Sequence, residues 1–463
     1  MTPLLDDATT RWLAERIRGE TLFPGEAGYD EARTVWNGMI DRRPAVIVRC
    51  RSATDVMAAV DFARTRSLPL SVKGGGHSVA GNAVCDGGVM VDLSAMNSVQ
   101  VTPEARRARV GPGARWGEFD QTAQAFGLAT TGGIDSRTGV AGLTLGGGVG
   151  YLARKHGLAV DNLVAADVVT AAGELVRASE DEHPELFWGL RGGGGNFGIV
   201  TSFEFQLHPV GPEVLTAQIF YPVDQAGEIL RAYRDLTAAA PDELALYALV
   251  THVPPAAPFP ETFHGQVALA LLACYCGNLE AGEELLKPLR RLGSPIFRAI
   301  QPMEYTALQK SFDAAFPDGG RYYWKTQYLA DLPDAAIDTI VEHAAVLPGA
   351  YTSMSIEPAG GAIGRVDPTA TAFPHRNARF NFGIWPGWTD PADDEEAIAW
   401  ARGFHESMTP WSTGGVYANY LDGDEQDRVA AAYGENHARL IRLKRTWDPD
   451  NLFQINQNVD PEG

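Results

Sequence analysis

The stretch that decides the fold of this chain is Ser71-Val72-Lys73-Gly74-Gly75-Gly76-His77-Ser78-Val79-Ala80-Gly81. An apolar run over 68–72 predicts a strand that leads directly into three glycines and a histidine. Residues without a Cβ adopt positive φ and let the backbone approach a ligand closely. Successive free N–H groups in such a turn can also hold an anion. The loop therefore predicts a site for a flat or phosphorylated ligand beside His77, with an ordinary loop histidine as the alternative.

Two more glycine clusters follow within the next part of the chain, over 138–151 and over 191–198. Upstream of the first loop, a buried strand at 45–48 and a helix that begins at the capping box Ser52-Ala53-Thr54-Asp55 predict a small α/β unit. Glycine weakens regular structure, so repeated clusters indicate that the backbone approaches something large.

Composition and length limit the class of protein. The chain has 463 residues, which predicts two or three domains. Its 58 acidic and 38 basic side chains give a formal charge of −20, which disfavours nucleic acid and anionic membranes as partners. Four scattered cysteines make no disulfide framework. Residues 1–20 have no apolar core of a secretory signal, and no apolar run reaches about 18 residues, so we expect a cytoplasmic protein without a membrane span.

Several common sites are excluded by their motifs. The cluster over 192–198 follows a helix and opens a strand, the reverse of the dinucleotide-binding context. The sequence has no P-loop and no G-x-S-x-G elbow. Its ten histidines show no paired ligand spacing, so no metal site is expected. A planar ligand with a pyrophosphate, held mostly by main chain, remains, and flavin adenine dinucleotide (FAD) fits this description.

The run from Pro44 to Val210 resembles the FAD-binding domain of the vanillyl-alcohol-oxidase superfamily, and within it the berberine-bridge-enzyme-like oxidases. The motifs that carry the resemblance lie at 72–78, 145–150, 191–198, 417–420, 433–436 and 444–458. The resemblance implies an α+β fold of two domains, the PCMH-type FAD-binding fold. Residues 1–210 would bind FAD (PCMH-type core about 42–210), 211–410 would form a central substrate domain with an antiparallel sheet, and 411–463 would return to the flavin domain.

The resemblance also implies that FAD is attached covalently through His77. Many members carry a cysteine that makes a second flavin bond, whereas the matching position here is Asp135. We therefore expect a single link. Lys73 would touch phosphate or remain solvated. The residues expected at the cofactor are His77, Lys73, Gly74, Gly75, Gly76, Ser78, Gly81, Asp135, Thr138, Gly139, Gly142, Gly146, Gly147, Gly148, Gly150, Gly195, Asn196, Gly198, Val200, Asn419, Asn456 and Asn458.

The proton-handling group has several candidates. Glu357 is a carboxylate within an apolar strand, unless it is a surface charge on an edge strand. Tyr417 and Tyr420 are predicted in a short strand on the substrate side of the flavin, with packing as the alternative role. Tyr151 would face the substrate or the flavin. Thr138 would control oxygen access or be a plain turn residue.

The predicted function is an FAD-dependent oxidase that takes a hydride from an alcohol, phenol or amine carbon and passes electrons to O2, giving H2O2. An oxygenating tailoring enzyme of secondary metabolism and a non-catalytic flavin-binding protein are the alternatives. The expected partners are a small-molecule substrate and O2. The substrate itself and the oligomeric state are left open.

Overall fold

The computed structural model of the protein describes residues 6–463. Residues 1–5, part of the segment on which the prediction of no secretory signal rests, lie outside this range. The strands are β1 Glu20–Leu22, β2 Val46–Arg49, β3 Leu70–Lys73, β4 Val89–Asp92, β5 Val99–Thr102, β6 Arg107–Val110, β7 Leu128–Ala129, β8 Leu163–Val169, β9 Leu175–Ser179, β10 Ile199–Gln206, β11 His208–Pro209, β12 Glu213–Pro222, β13 Leu244–His252, β14 Val267–Tyr275, β15 Phe297–Glu304, β16 Arg321–Tyr322, β17 Lys325–Leu329, β18 Ser353–Pro358, β19 Phe380–Trp385 and β20 Gly387–Trp388.

The α-helices of the described residues are α1 Asp7–Ala14, α2 Tyr29–Arg33, α3 Ala53–Thr65, α4 Trp116–Gln124, α5 Val140–Gly146, α6 Ala153–His156, α7 Pro184–Leu190, α8 Ala226–Ala238, α9 Leu279–Leu285, α10 Lys287–Arg291, α11 Tyr305–Gln309, α12 Asp334–Ala344, α13 Ala362–Arg365, α14 Asp394–Met408, α15 Val429–Tyr433 and α16 His437–Trp447. Within residues 6–463, no helix combines the length and the apolar character that crossing a bilayer requires.

The first glycine loop leaves the end of a small sheet with the strand order β1-β2-β4-β3, in which β4 is parallel to both β2 and β3. The α/β unit forms as the sequence predicts, because the Ser52 side chain caps α3 by accepting from the Asp55 N–H. Val48, Val60 and Val91 pack in the core between this helix and the sheet. The loop at 74–78 therefore starts from a fixed strand end.

A second, antiparallel sheet of the order β5-β6-β10-β8-β9 supports the other two glycine clusters. Its core also contains Leu440 and Val459 from the end of the chain. The return of the C-terminal segment is fixed by Asn196, whose side chain donates to the Gln457 carbonyl and accepts from the Val459 N–H. The third glycine cluster and the chain end are thus held together.

The central part of the chain forms a seven-stranded antiparallel sheet of the order β15-β12-β14-β13-β18-β19-β17. Alternate side chains of each strand point to opposite faces. In β18, Met354 and Ile356 lie in the core that α8, α12 and α14 cover. Ser355 and Glu357 therefore face the other way, toward the glycine loops. The structure confirms the α+β fold with a central antiparallel sheet.

One local prediction is wrong. Tyr417 and Tyr420 do not lie in a strand, because residues Ala418–Tyr420 form a 3₁₀ turn. Residues three apart eclipse each other in this turn. The two rings consequently lie on one side, with their centroids 4.7 Å apart.

Candidate active site

A large cavity lies between the glycine loops and the face of the seven-stranded sheet that the helices α8, α12 and α14 do not cover. Its empty volume, with the open mouth included, is about 2140 Å³. The predicted residues that line it are Gly74, Gly75, Gly76, His77, Ser78, Asp135, Thr138, Gly139, Gly142, Tyr151, Gly195, Gly198, Val200, Glu357, Tyr417, Asn419, Tyr420 and Asn456. The structure therefore brings together positions that are up to about 380 residues apart in the chain.

His77 is held by ring stacking and not by hydrogen bonds from its Nε2. Its imidazole stacks on Trp36 at 4.4 Å between centroids, and Trp36 stacks in turn on Tyr322 at 4.0 Å. The Nε2 atom is buried and has no hydrogen-bond partner among the described residues. Burial lowers the pKa of His77 below its usual range. The imidazole is therefore neutral near pH 7, the state in which it is a nucleophile.

Asp135 is a charged group that lies close to the His77 ring. One carboxylate oxygen lies 3.9 Å from Nε2. The same oxygen accepts from Arg137 Nη2 at 2.6 Å, and the other oxygen accepts from the Arg137 backbone N–H at 2.8 Å. The pKa of Asp135 is lowered, although its burial alone would raise it, because the guanidinium and the backbone N–H of Arg137 both donate to the carboxylate. Asp135 is thus a carboxylate at neutral pH.

The glycines that face the cavity leave room that a side chain would fill. A Cβ at Gly142 or Gly195 would meet no protein atom within 4 Å, and both residues line the cavity. Gly75 and Gly139 have a different role, because a Cβ on Gly75 would lie 2.5 Å from the Gly139 backbone. The first two loops therefore lie in direct backbone contact, and the open glycines leave a bare surface beside them.

The other glycines predicted at the cofactor serve protein packing. A Cβ at Gly150 would lie 1.9 Å from the Gly132 carbonyl oxygen, and one at Gly148 would lie 2.3 Å from Ala159. Gly81 likewise packs on Ile40. The predicted residues outside the cavity lining are Lys73, Gly81, Gly146, Gly147, Gly148, Gly150, Asn196 and Asn458. Dense glycine in the second cluster reflects tight chain crossings more than ligand contact.

The contacts of Lys73 match neither phosphate binding nor a solvated side chain, the two roles that the sequence left open. Its ammonium donates to the carbonyls of Ala32 and Thr34, each at 2.9 Å. These bonds turn the side chain away from the cavity and tie the loop to the segment after α2. No lysine or arginine is among the residues that line the cavity of the described chain. A phosphate there would rely on backbone N–H groups.

Glu357 is the buried acid of the cavity wall. Its strand is central in the seven-stranded sheet, so the alternative of a surface charge on an edge strand is wrong. One carboxylate oxygen accepts from Asn381 Nδ2 at 2.8 Å, and the other lies 3.4 Å from the hydroxyls of Ser355 and Tyr420. Burial raises the pKa of Glu357 to about 7, although these donors oppose the rise. A carboxyl group with this pKa exchanges protons readily near neutral pH.

Tyr417 has a hydroxyl that is already engaged. Its oxygen accepts from the Gly148 N–H at 2.7 Å and from Asn419 Nδ2 at 2.9 Å. Burial nevertheless raises the pKa of Tyr417 to about 12, and burial also raises the pKa of Tyr420. The nearby cation that a tyrosine base needs is missing from the described cavity wall.

Aromatic residues complete the wall, and Trp324, Trp385 and Tyr247 among them were not singled out from the sequence. Trp324, Trp385 and Tyr420 pack edge to face, with centroids 4.8 to 5.6 Å apart. Tyr151 contacts Tyr247 in the same way, and Thr138 lies at the glycine loops. The further apolar lining residues of this wall are Leu249, Leu272, Phe312 and Phe316. The alternation of side chains along β13 and β19 would have predicted some of these lining residues, if the face that points to the cavity had been known.

Comparisons with known proteins identify the family of this chain. The sequence model described as "FAD binding domain" matches residues 44–179, and the one described as "Berberine and berberine like" matches residues 416–460. The (R)-6-hydroxynicotine oxidase of Paenarthrobacter nicotinovorans is 33% identical over 96% of this chain and 98% of its own. A chitooligosaccharide oxidase of Gibberella zeae is 27% identical over 95% and 92%.

Solved structures show the same likeness. A crystal structure of 6-hydroxy-D-nicotine oxidase from Arthrobacter nicotinovorans superposes with a TM-score of 0.86 at 31% identity, over 96% of this chain and 98% of the other. Glucooligosaccharide oxidase from Acremonium strictum gives 0.87 at 25% identity, over 98% and 99%. The fold and site define an FAD-dependent oxidoreductase. The chain belongs to the berberine-bridge-enzyme-like family of FAD-linked oxidases.

The residues present fit FAD. Bare glycines at 142 and 195 offer a surface for a flat or phosphorylated group. Among the lining residues, Asn82 Nδ2, Trp324 Nε1 and Asn456 Oδ1 are buried without a partner. Buried polar atoms in proteins are normally satisfied, so these three indicate a polar ligand in the cavity.

The two kinds of glycine give a test. We expect Gly195→Val to weaken FAD binding at least about 10-fold, since its side chain enters cavity space, while the melting temperature of the apoprotein stays unchanged. Gly150→Ala should do the reverse and destabilise the fold by more than about 2 kcal/mol, because its Cβ meets a carbonyl oxygen. Flavin titration and thermal melts of both variants measure this. A lower melting temperature for Gly195→Val would contradict it.

Proposed function

We propose that this protein is an oxidase whose FAD is attached through His77 alone and whose Glu357 removes a proton from the substrate. When bound, the flavin accepts a hydride from the substrate carbon and reduces O2 to H2O2. The observation that carries the proposal is the buried carboxyl of Glu357 on the cavity wall, with a pKa raised to about 7. Among the candidates, only this group has a pKa that suits a base near neutral pH.

The role of each side chain follows from its contacts. Asn381 holds one oxygen of Glu357, which leaves the oxygen beside Tyr420 and Ser355 to take the proton of a substrate hydroxyl or amine. Tyr417 stays protonated and fixes the second glycine cluster through the Gly148 N–H. Two points support a single link through His77. No cysteine is among the described residues of the cavity lining, and the family resemblance aligns Asp135 with the cysteine that makes the second link in many members.

The proposed substrate is a compact, mostly apolar alcohol, phenol or amine. The wall opposite the glycine loops consists largely of aromatic and aliphatic side chains, which favour a planar or apolar molecule. An oligosaccharide needs many hydrogen-bonding partners for its hydroxyls. Apart from the hydroxyls of Tyr151, Tyr247 and Tyr420, this wall offers few, the main ones being Glu357, Ser355 and the unpartnered indole N–H of Trp324. The 6-hydroxynicotine oxidase is therefore the better guide among the relatives.

Anaerobic mixing tests the proposal. We expect an aromatic alcohol, phenol or amine from a panel to bleach the flavin absorbance, and admission of air to restore it with one H2O2 per substrate oxidised. With ¹⁸O2, the label should appear in peroxide and not in the product. Label in the product would favour the oxygenating alternative, for which Thr138 on the cavity wall is the first residue to replace. Bleaching by cello- or chito-oligosaccharides alone would contradict the proposed substrate class.

A further inference from the structure

We propose that Asp135 is a positioning residue that prepares His77 for attachment to the flavin. This inference rests on the proposed link at His77 and names the residue that promotes formation of the link. The Asp135 carboxylate lies 3.9 Å from His77 Nε2, and no described residue hydrogen-bonds that nitrogen. The separation is one that a small ring rotation or a bridging water closes.

The contact with Asp135 favours Nδ1 as the nitrogen that reacts. A neutral imidazole carries one proton, and the ring nitrogen that faces an anion keeps it. A proton on Nε2 beside Asp135 leaves the lone pair on Nδ1. When Nδ1 attacks, positive charge develops on the ring, and the carboxylate stabilises that charge as a buried aspartate does for a catalytic histidine. Asp135 also receives the Nε2 proton once the new bond has formed.

The attachment balances with O2 as the oxidant. A bond forms between Nδ1 and the 8α-methyl carbon of the flavin, and one C–H bond of that methyl group and one N–H bond of His77 break. The two protons and two electrons released reduce O2 to H2O2. Asp135 is neither consumed nor bonded to the flavin, so it changes the rate of attachment and not its product.

A single carbonyl fixes both partners of His77. The Phe316 carbonyl oxygen accepts from Arg137 Nη2 at 2.8 Å and from Trp36 Nε1 at 3.0 Å. Arg137 holds the Asp135 carboxylate, whereas Trp36 stacks on the His77 ring. The ring face and the carboxylate are therefore positioned from the same point. This arrangement keeps the ring and the carboxylate beside each other, because both are positioned from the same carbonyl.

The test follows covalent attachment itself. Protein produced under riboflavin limitation is mixed with excess FAD in air, and the flavin that stays with the polypeptide after acid denaturation is timed. Bound but unattached flavin is measured separately by fluorescence quenching. We expect Asp135→Asn to bind FAD within a few-fold of the wild type but to attach it at least about 100-fold more slowly. Asp135→Glu should recover part of the rate.

Asp313→Asn is the matched control. Asp313 accepts from the N–H and hydroxyl of Ser136, the neighbour of Asp135, so its loss disturbs the same turn without changing the charge that faces Nε2. It should attach FAD at nearly the wild-type rate. Equal rates for bound flavin in Asp135→Asn and the wild type would overturn the inference, as would equal slowing in both variants. A wild type without covalent flavin would overturn the proposed link first, and this inference with it.

Discussion

Replacing His77 by alanine is expected to abolish covalent flavin completely. His77 lies at the end of the first glycine loop, with a neutral ring and an unpartnered Nε2 in the cavity wall. The wild-type polypeptide should stay yellow and fluorescent on a denaturing gel, and its mass should exceed the sequence mass by one FAD. His77→Ala should lose both signals while it still binds FAD reversibly, because the glycine surfaces at 142 and 195 are unchanged.

His156 offers a matched control for this variant. It is also a histidine with a buried, unpartnered Nε2 and a pKa lowered by burial, but it stacks on His208 outside the cavity. His156→Ala should therefore keep its covalent flavin. Flavin that persists in denatured His77→Ala would refute the link at His77, and peptide mapping would locate the true attachment residue.

Local features of the sequence were the ones that could be predicted. A tight loop of three glycines and a histidine directly after a strand can be predicted from its own residues, because the φ freedom of glycine and the position next to the strand are both local properties. The capping box at Ser52 is of the same kind. Position 135 was located only through the resemblance, since Asp135 and His77 meet through a tertiary contact between two loops.

Other features depend on which face of an element points inward. The sequence showed that Glu357 interrupts an apolar strand, but only the sheet order places that strand centrally, between β13 and β19. Trp36 stacks on His77 across 41 positions of chain, and no periodicity within either segment predicts that contact. The prediction that the glycines of the second cluster contact the cofactor failed in part for a related reason. A glycine that leaves room for a ligand and one that leaves room for a neighbouring carbonyl look the same in a sequence.

Glu357→Gln is expected to lower kcat/KM by about 10² to 10⁴, the usual contribution of a general base. The amide keeps the size of the side chain and its bond to Asn381 but takes no proton. In the wild type the base must be ionised, so kcat/KM should rise with pH and level off above about 7. The variant should lose this acid limb. Tyr420→Phe, which removes only the weak contact at 3.4 Å, should keep the limb and lose far less activity.

A measurement of stability distinguishes this loss of activity in Glu357→Gln from damage to the fold. Because burial raises the pKa of Glu357 from 4.5 to about 7, the folded protein holds the proton more tightly than the unfolded chain does. Ionisation therefore costs stability as the pH rises from 4.5 to 7, by about 3 kcal/mol at most. Glu357→Gln avoids that cost, so at pH 8 it should unfold at a higher denaturant concentration than the wild type while being nearly inactive. A variant that is both less stable and inactive would contradict the assignment. Such a result would show that the ionised carboxylate stabilises the sheet, whereas a buried base should lower the stability of the fold.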